Sequence, residues 1–102
     1  MKVYEAIAKA FIDEGTTTMF GMMGASNQHF INAMHKRGVN MINVRHEGPG
    51  LQMAEGWSLA TGRPGVLTTT RGPAVTQFAT TMVVASRAHP PLVVFVGDTP
   101  RG

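Results

Sequence analysis

A chain of 102 residues falls near the usual size of one domain, and 43% hydrophobic against 15% charged residues argues against disorder. The net charge of +3 is scattered, with Lys36-Arg37 as the one basic pair, so nothing tracks a nucleic-acid backbone. The absence of cysteine removes disulfides and thiolate metal sites, which is compatible with a cytoplasmic protein. No apolar run approaches the roughly 20 residues that span a bilayer, and Met1 to Glu5 opens an amphipathic pattern rather than a signal peptide. Neither nucleic acid nor membrane is an expected partner.

Val3, Ile7, Ala10 and Phe11 fall at helical spacing, which predicts a helix over 3–14 that Gly15 ends in a left-handed cap. Thr16 to Phe20 reads as a strand, broken by the turn Gly21-Met22-Met23-Gly24. Ser26 or Asn27 then caps a helix with Phe30, Ile31 and Met34 on its inner face, ending at Gly38. Val39 to Val44 reads as a second, buried strand, followed by Glu47 and a helix carrying Leu51, Ala54, Trp57 and Ala60 inward before Gly62. Val66 to Thr70 is a third strand. Pro73 suits a first helical position, and the spacing of Phe78, Met82 and Ala85 predicts one helix over 75–86. Leu92 to Val96 is the fourth strand, and Gly97 to Gly102 reads as a turn leading onward, as in a piece of a longer protein.

Strands alternating with helices imply βαβ units and a parallel sheet, an α/β fold, and the continuous apolar runs suit an open sheet with helices on both faces. In such sheets ligands bind at the carboxyl ends of the strands. Two strand-turn-helix junctions belong to that edge: Val44-Arg45-His46-Glu47-Gly48-Pro49-Gly50 and Thr68-Thr69-Thr70-Arg71-Gly72-Pro73-Ala74. Glu47 has two readings, a carboxylate favoured by a helix amino terminus or a catalytic group.

Other chemistries find no support. His46-Glu47 lacks the second histidine of a zinc-protease helix, since Gly50 stands there, and His29, His35, His46 and His89 show no ligand spacing. Ser26, Ser58 and Ser86 have no nucleophile-elbow context. The turn at Gly21 to Gly24 falls short of a dinucleotide fingerprint and reads more simply as a tight strand-to-helix turn. Most of the eight methionines read as core filling. Met22 and Met23, in the turn, are placed to offer an apolar wall to a flat ring, while Trp57 reads as core.

The series Phe20-Gly21-Met22-Met23-Gly24, Arg45-His46-Glu47, Met53-Ala54-Glu55-Gly56-Trp57, Thr61-Gly62-Arg63-Pro64-Gly65, Gly72-Pro73-Ala74 and Pro90-Pro91-Leu92-Val93-Val94 resembles, over nearly the whole chain, the amino-terminal pyrimidine-binding domain of thiamine diphosphate enzymes. The group it resembles is the acetolactate synthase and benzoylformate decarboxylase type. The resemblance implies that residues 1–102 are the first part of that domain, an incomplete portion of a longer protein, and that Glu47 hydrogen-bonds the N1′ nitrogen of the aminopyrimidine, sharing a proton with it to activate C2 of the thiazolium. It further implies that Gly24, Ala25 and Ser26 of the first turn, and Thr70, Arg71, Gly72, Pro73 and Ala74 of the second with Gln77, line the cofactor and substrate cleft. The substrate would be a 2-oxo acid.

Three positions depart from the group's pattern. Met23 stands for its usual proline, Arg71 for a serine and Gln77 for an asparagine. A cation at Arg71 on the edge that carries Glu47 would lower the glutamate pKa if the two are close. The resemblance places the diphosphate and its magnesium on a separate domain through Gly-Asp-Gly and a later Asn-Asn. Gly97-Asp98-Thr99 does not supply that motif. The expected partner is therefore the diphosphate-binding domain of another subunit, in a homo-oligomer when intact, and the 102-residue chain alone is expected to be inactive. Two alternatives remain: a non-catalytic α/β module for assembly or regulation, and a separate pyrimidine-domain subunit that needs a second chain.

Overall fold

In the computed structural model, which describes residues 1–98, the chain runs α1 (Val3–Asp13), β1 (Thr18–Gly21), α2 (Gln28–Lys36), β2 (Asn40–Asn43), α3 (Glu47–Thr61), β3 (Gly65–Thr69), α4 (Pro73–Gln77), α5 (Ala79–Ala88) and β4 (Leu92–Val96). The four strands form one parallel sheet in the order β2-β1-β3-β4. The α/β class is as the alternating pattern implies. The reading of Gly97 to Gly102 as a turn falls largely on residues outside those described.

Side-chain alternation along the strands splits the core in two. Met19 and Val66 point to one face, where they meet Ala8 of α1 and Phe30, Ile31 and Met34 of α2. Their neighbours Phe20 and Leu67 point to the other, against Leu51 and Ala54 of α3, Phe78, and Ala85 of α5. Burying each of the larger of these side chains contributes about 1.5–3 kcal/mol, so the helices are held to the sheet from both faces.

Helix ends follow the glycines. After α1, Gly15 adopts φ +92°, and its N–H reaches the Ile12 carbonyl while Thr16 N–H reaches Phe11, a Schellman closure. Gly38, at φ +86°, closes α2 in the same way. At the other end of α1, the Lys2 N–H donates to the Glu5 carboxylate at 2.8 Å, and that bond is the main cause holding the Glu5 pKa below its ordinary value.

Three expectations are corrected. The second strand is not buried: β2 is an outer strand, exposed at Asn40 and Asn43, because the chain leaves β1 for one side of the sheet and β3 and β4 extend the other. On α3 the residue one turn past Ala54 that faces inward is Ser58, whose hydroxyl is satisfied by the Glu55 carbonyl at 2.7 Å, and Ala60 is exposed. The single helix predicted over 75–86 is two, broken at Phe78, whose φ −102° and ψ 9° turn the chain while its ring stays in the core.

Candidate functional site

The strand order fixes where a cleft can form. From β1 the chain departs toward β2, and from β3 it departs toward β4, so the carboxyl ends of β1 and β3 flank the topological switch point, the usual ligand crevice of an open α/β sheet. Beyond β1 lie Met22 to Asn27, and beyond β3 lie Thr70 to Gly72.

The two turns are bound to each other. Ser26 Oγ and Thr70 Oγ1 share a hydrogen bond of 2.8 Å. A Cβ at Gly24 would overlap Thr70, and a Cβ at Gly97, just past β4, would overlap Ser26. Three strand ends thus approach so closely that only hydrogen fits at two of them. Asn27, fully buried, secures the arrangement from below: its Oδ1 accepts from Gly24 N at 2.7 Å, and its Nδ2 donates to the Met22 carbonyl at 3.0 Å and to Thr68 Oγ1 at 3.1 Å. Asn27 sits at the amino end of α2 as expected, yet its side chain makes no cap bond and braces the turn instead. Sequence reasoning weighed it only as a cap.

The second junction is built differently. His46, not Glu47, caps α3: its Nδ1 accepts the Gly48 N–H at 3.0 Å, which places the ring proton on Nε2. The usual cap residues are Ser, Thr, Asp and Asn, so the sequence carried no ready signal for this role. Glu47 is the first residue of α3, half-buried, and among the described residues its carboxylate has no hydrogen-bond or ion-pair partner. Gly48 lies against α4, where a Cβ would come 3.2 Å from the Gln77 carbonyl.

The structure therefore joins Gly24, Ser26 and Thr70 by direct contact, and it sets the start of α3 against the end of α4 through Gly48 and Gln77. Gly72 takes φ +70° ahead of Pro73 at the first position of α4. Arg71 is partly buried in the turn before it, while the side chains of Ala25 and Gln77 are exposed. No ion pair joins Arg71 to Glu47 among the described residues. Met23, 60% exposed, lines a groove of about 540 Å³ with Ile31, His35 and Met41 between α2 and β2. Neither Glu47 nor either residue of the Thr70-Arg71 turn borders that groove. Trp57 packs edge-on to Phe20 at 6.3 Å and belongs to the core, as its spacing suggested.

A family model described as thiamine pyrophosphate enzyme, N-terminal TPP binding domain, matches residues 1–102. The chain belongs to this family of thiamine pyrophosphate enzyme N-terminal domains. Relatives of this thiamine pyrophosphate enzyme domain include acetolactate synthase of Bacillus subtilis, 31% identical across 95% of this chain and 17% of the relative. The large subunit of acetolactate synthase isozyme 3 from Escherichia coli K12 is 35% identical across 92% of this chain and 17% of the relative. Glyoxylate carboligase of Escherichia coli O157:H7 is 38% identical across 99% and 17%. A solved structure from Mycobacterium smegmatis, described as a thiamin diphosphate-dependent enzyme, superposes with a TM-score of 0.87 at 24% identity, over 99% of this chain and 20% of that one, and shares the fold. The chain spans 17% of the length of these curated relatives. No helix of the described residues is long and apolar enough to cross a membrane.

Proposed function

We propose that this domain supplies the pyrimidine half of a thiamine diphosphate site in a decarboxylase or carboligase of 2-oxo acids, with Glu47 as the group that activates the cofactor. The observation that carries the proposal is the unpartnered, half-buried Glu47 carboxylate at the carboxyl end of a strand, in a junction where His46 already does the capping. A carboxylate relieved of the capping bond is available to an external nitrogen base.

The residues present fit the cofactor. Glycines at 24 and 97 let three strand ends close into a small platform at the switch point, Glu47 supplies the one acid needed at the pyrimidine, and partial burial shields the proton it would share. When bound, the cofactor supplies an electron sink for a carbanion. Glu47 would hold a proton between its carboxyl oxygen and the pyrimidine N1′, while Gly24, Ala25, Thr70, Arg71, Gly72, Pro73 and Gln77 would border the cleft. The diphosphate and its magnesium fall to a separate domain, that of another subunit in a homo-oligomer, in keeping with the small share of its relatives that this chain spans. Their names, acetolactate synthase and glyoxylate carboligase, agree with small oxo substrates, and a cytoplasmic site of action fits such a metabolic role.

The test is hydrogen–deuterium exchange at C2 of the cofactor in the assembly that joins this domain to a diphosphate-binding domain. Glu47→Gln keeps the shape but not the exchangeable proton, and exchange should slow by about 10²–10⁴-fold, the usual range for general acid–base catalysis. Exchange at the parent rate would reduce Glu47 to a helix-end carboxylate and favour a non-catalytic module.

A further inference from the structure

Among the described residues every lysine is exposed, and so are Arg37, Arg45, Arg63 and Arg87; Arg71 alone of the lysines and arginines is partly buried. Taking water from a guanidinium costs free energy unless an acceptor replaces it. The fold provides acceptors even for exposed cations, since Arg37 donates to the Ala33 carbonyl at 3.1 Å and Lys9 lies 2.6 Å from Asp13. For Arg71 it provides none among the described residues: no hydrogen bond, ion pair or ring contact engages the side chain.

Its backbone is nonetheless well held. Thr69 is fully buried at the end of β3, Thr70 is tied to Ser26, and Gly72 with Pro73 sets the course of the chain into α4. Arg71 therefore stands at a fixed point of the switch-point crevice. Glu47 follows β2 at the same edge, and β2 lies two strand spacings, roughly 10 Å, from β3, with β1 between them. An edge with an acid and a guanidinium that are both unpaired among the described residues, following strands on either side of β1, suits a cofactor nitrogen at one end and a substrate anion at the other.

Which anion it suits follows from the chemistry. A guanidinium fork on a carboxylate about to leave as carbon dioxide stabilises the ground state and slows the loss. On a carboxylate that survives the reaction, the same fork orients the neighbouring carbonyl at no such cost. We propose that Arg71 binds the carboxylate of the acceptor 2-oxo acid in a carboligation, and so makes this domain part of a ligase for two 2-oxo acids rather than of a simple decarboxylase. In that reaction two 2-oxo acid anions and one proton give a 2-hydroxy-3-oxo acid anion and carbon dioxide. The donor loses its carbon–carboxylate bond, its carbonyl carbon bonds to the acceptor carbonyl carbon, and the proton ends on the acceptor oxygen. The acceptor carboxylate passes unchanged into the product. The proposal rests on the reading of Glu47 above.

The test uses the assembly with a diphosphate-binding domain, pyruvate as donor, and two acceptors of similar size, anionic glyoxylate and uncharged acetaldehyde. Arg71→Gln should raise the KM for glyoxylate about 10- to 100-fold, the effect of one charge-assisted hydrogen-bonded pair. The KM for acetaldehyde should change far less, so that the ratio of the two KM values carries the effect. Arg71→Lys should retain part of the preference for glyoxylate. Equal losses with both acceptors would overturn the proposal by making the arginine structural, and a weakened cofactor Kd with unchanged acceptor preference would reassign it to the diphosphate. If the parent fails to show Glu47-dependent C2 exchange, the functional reading falls instead, and that result is distinct from either.

Discussion

At the end of β3 the chain leaves a strand buried over all five of its residues and enters a turn fixed by Ser26, Gly24 and, one layer down, Asn27. At the end of β2 it leaves an outer strand with exposed ends and enters α3 with one side-chain bond, from Gly48 to His46. The first junction is framework that also carries a charge, whereas the second is a charge on light support. Substitutions should accordingly cost stability at the first and chemistry at the second.

The largest stability loss should follow Asn27→Ala, which leaves Gly24 N, the Met22 carbonyl and Thr68 Oγ1 without their partner. A penalty of about 2–4 kcal/mol is expected in urea unfolding; under 1 kcal/mol would mean that the turn is not braced as described. Gly24→Ala comes next, at about 1–3 kcal/mol, because the new methyl overlaps Thr70. His46→Ala removes the cap of α3 and should cost about 1 kcal/mol, with circular dichroism showing fraying at that helix if the bond contributes as drawn. Smallest is Glu47→Gln, worth about 0.5 kcal/mol through the helix dipole. Should Glu47→Gln unfold as readily as Asn27→Ala, the division between framework and chemistry would not hold.

Much of this contrast was legible in the residues. β4 matches its expected bounds, and Gly15, Gly38 and Gly62 end their helices where expected, each at a positive φ, because such endings are decided locally. What was not legible was decided elsewhere in the chain. Met41 and Ile42 look like a buried strand, and only the order of strands, which no single segment encodes, puts them on the outside. Phe78 continues the inward spacing of its neighbours, so periodicity runs straight through the break between α4 and α5. Ser58 faces the core in a place an apolar pattern assigns to alanine, since its hydroxyl is satisfied within its own helix. In the site, Glu47, Thr70 and Arg71 were marked from their junctions, but the bracing by Asn27 depends on contacts with Met22 and Thr68, the latter far away in sequence. Whether Arg71 and Glu47 meet likewise depended on the strand order, and no ion pair joins them among the described residues.

The clasp between Ser26 and Thr70 also bears on how such a domain changes over time. Its own members have almost no latitude, as a hydroxyl, a hydroxyl and two absent side chains fill the available space. Immediately outside it stand Ala25, whose side chain is open to solvent, and Arg71, whose side chain makes no hydrogen bond or ion pair among the described residues. Variation is thus channelled to the pair of positions beside the clasp, where a new side chain leaves the frame undisturbed. On the proposed reading, single replacements at 25 and 71 would exchange one recognised group for another, with little stability lost in passing between them.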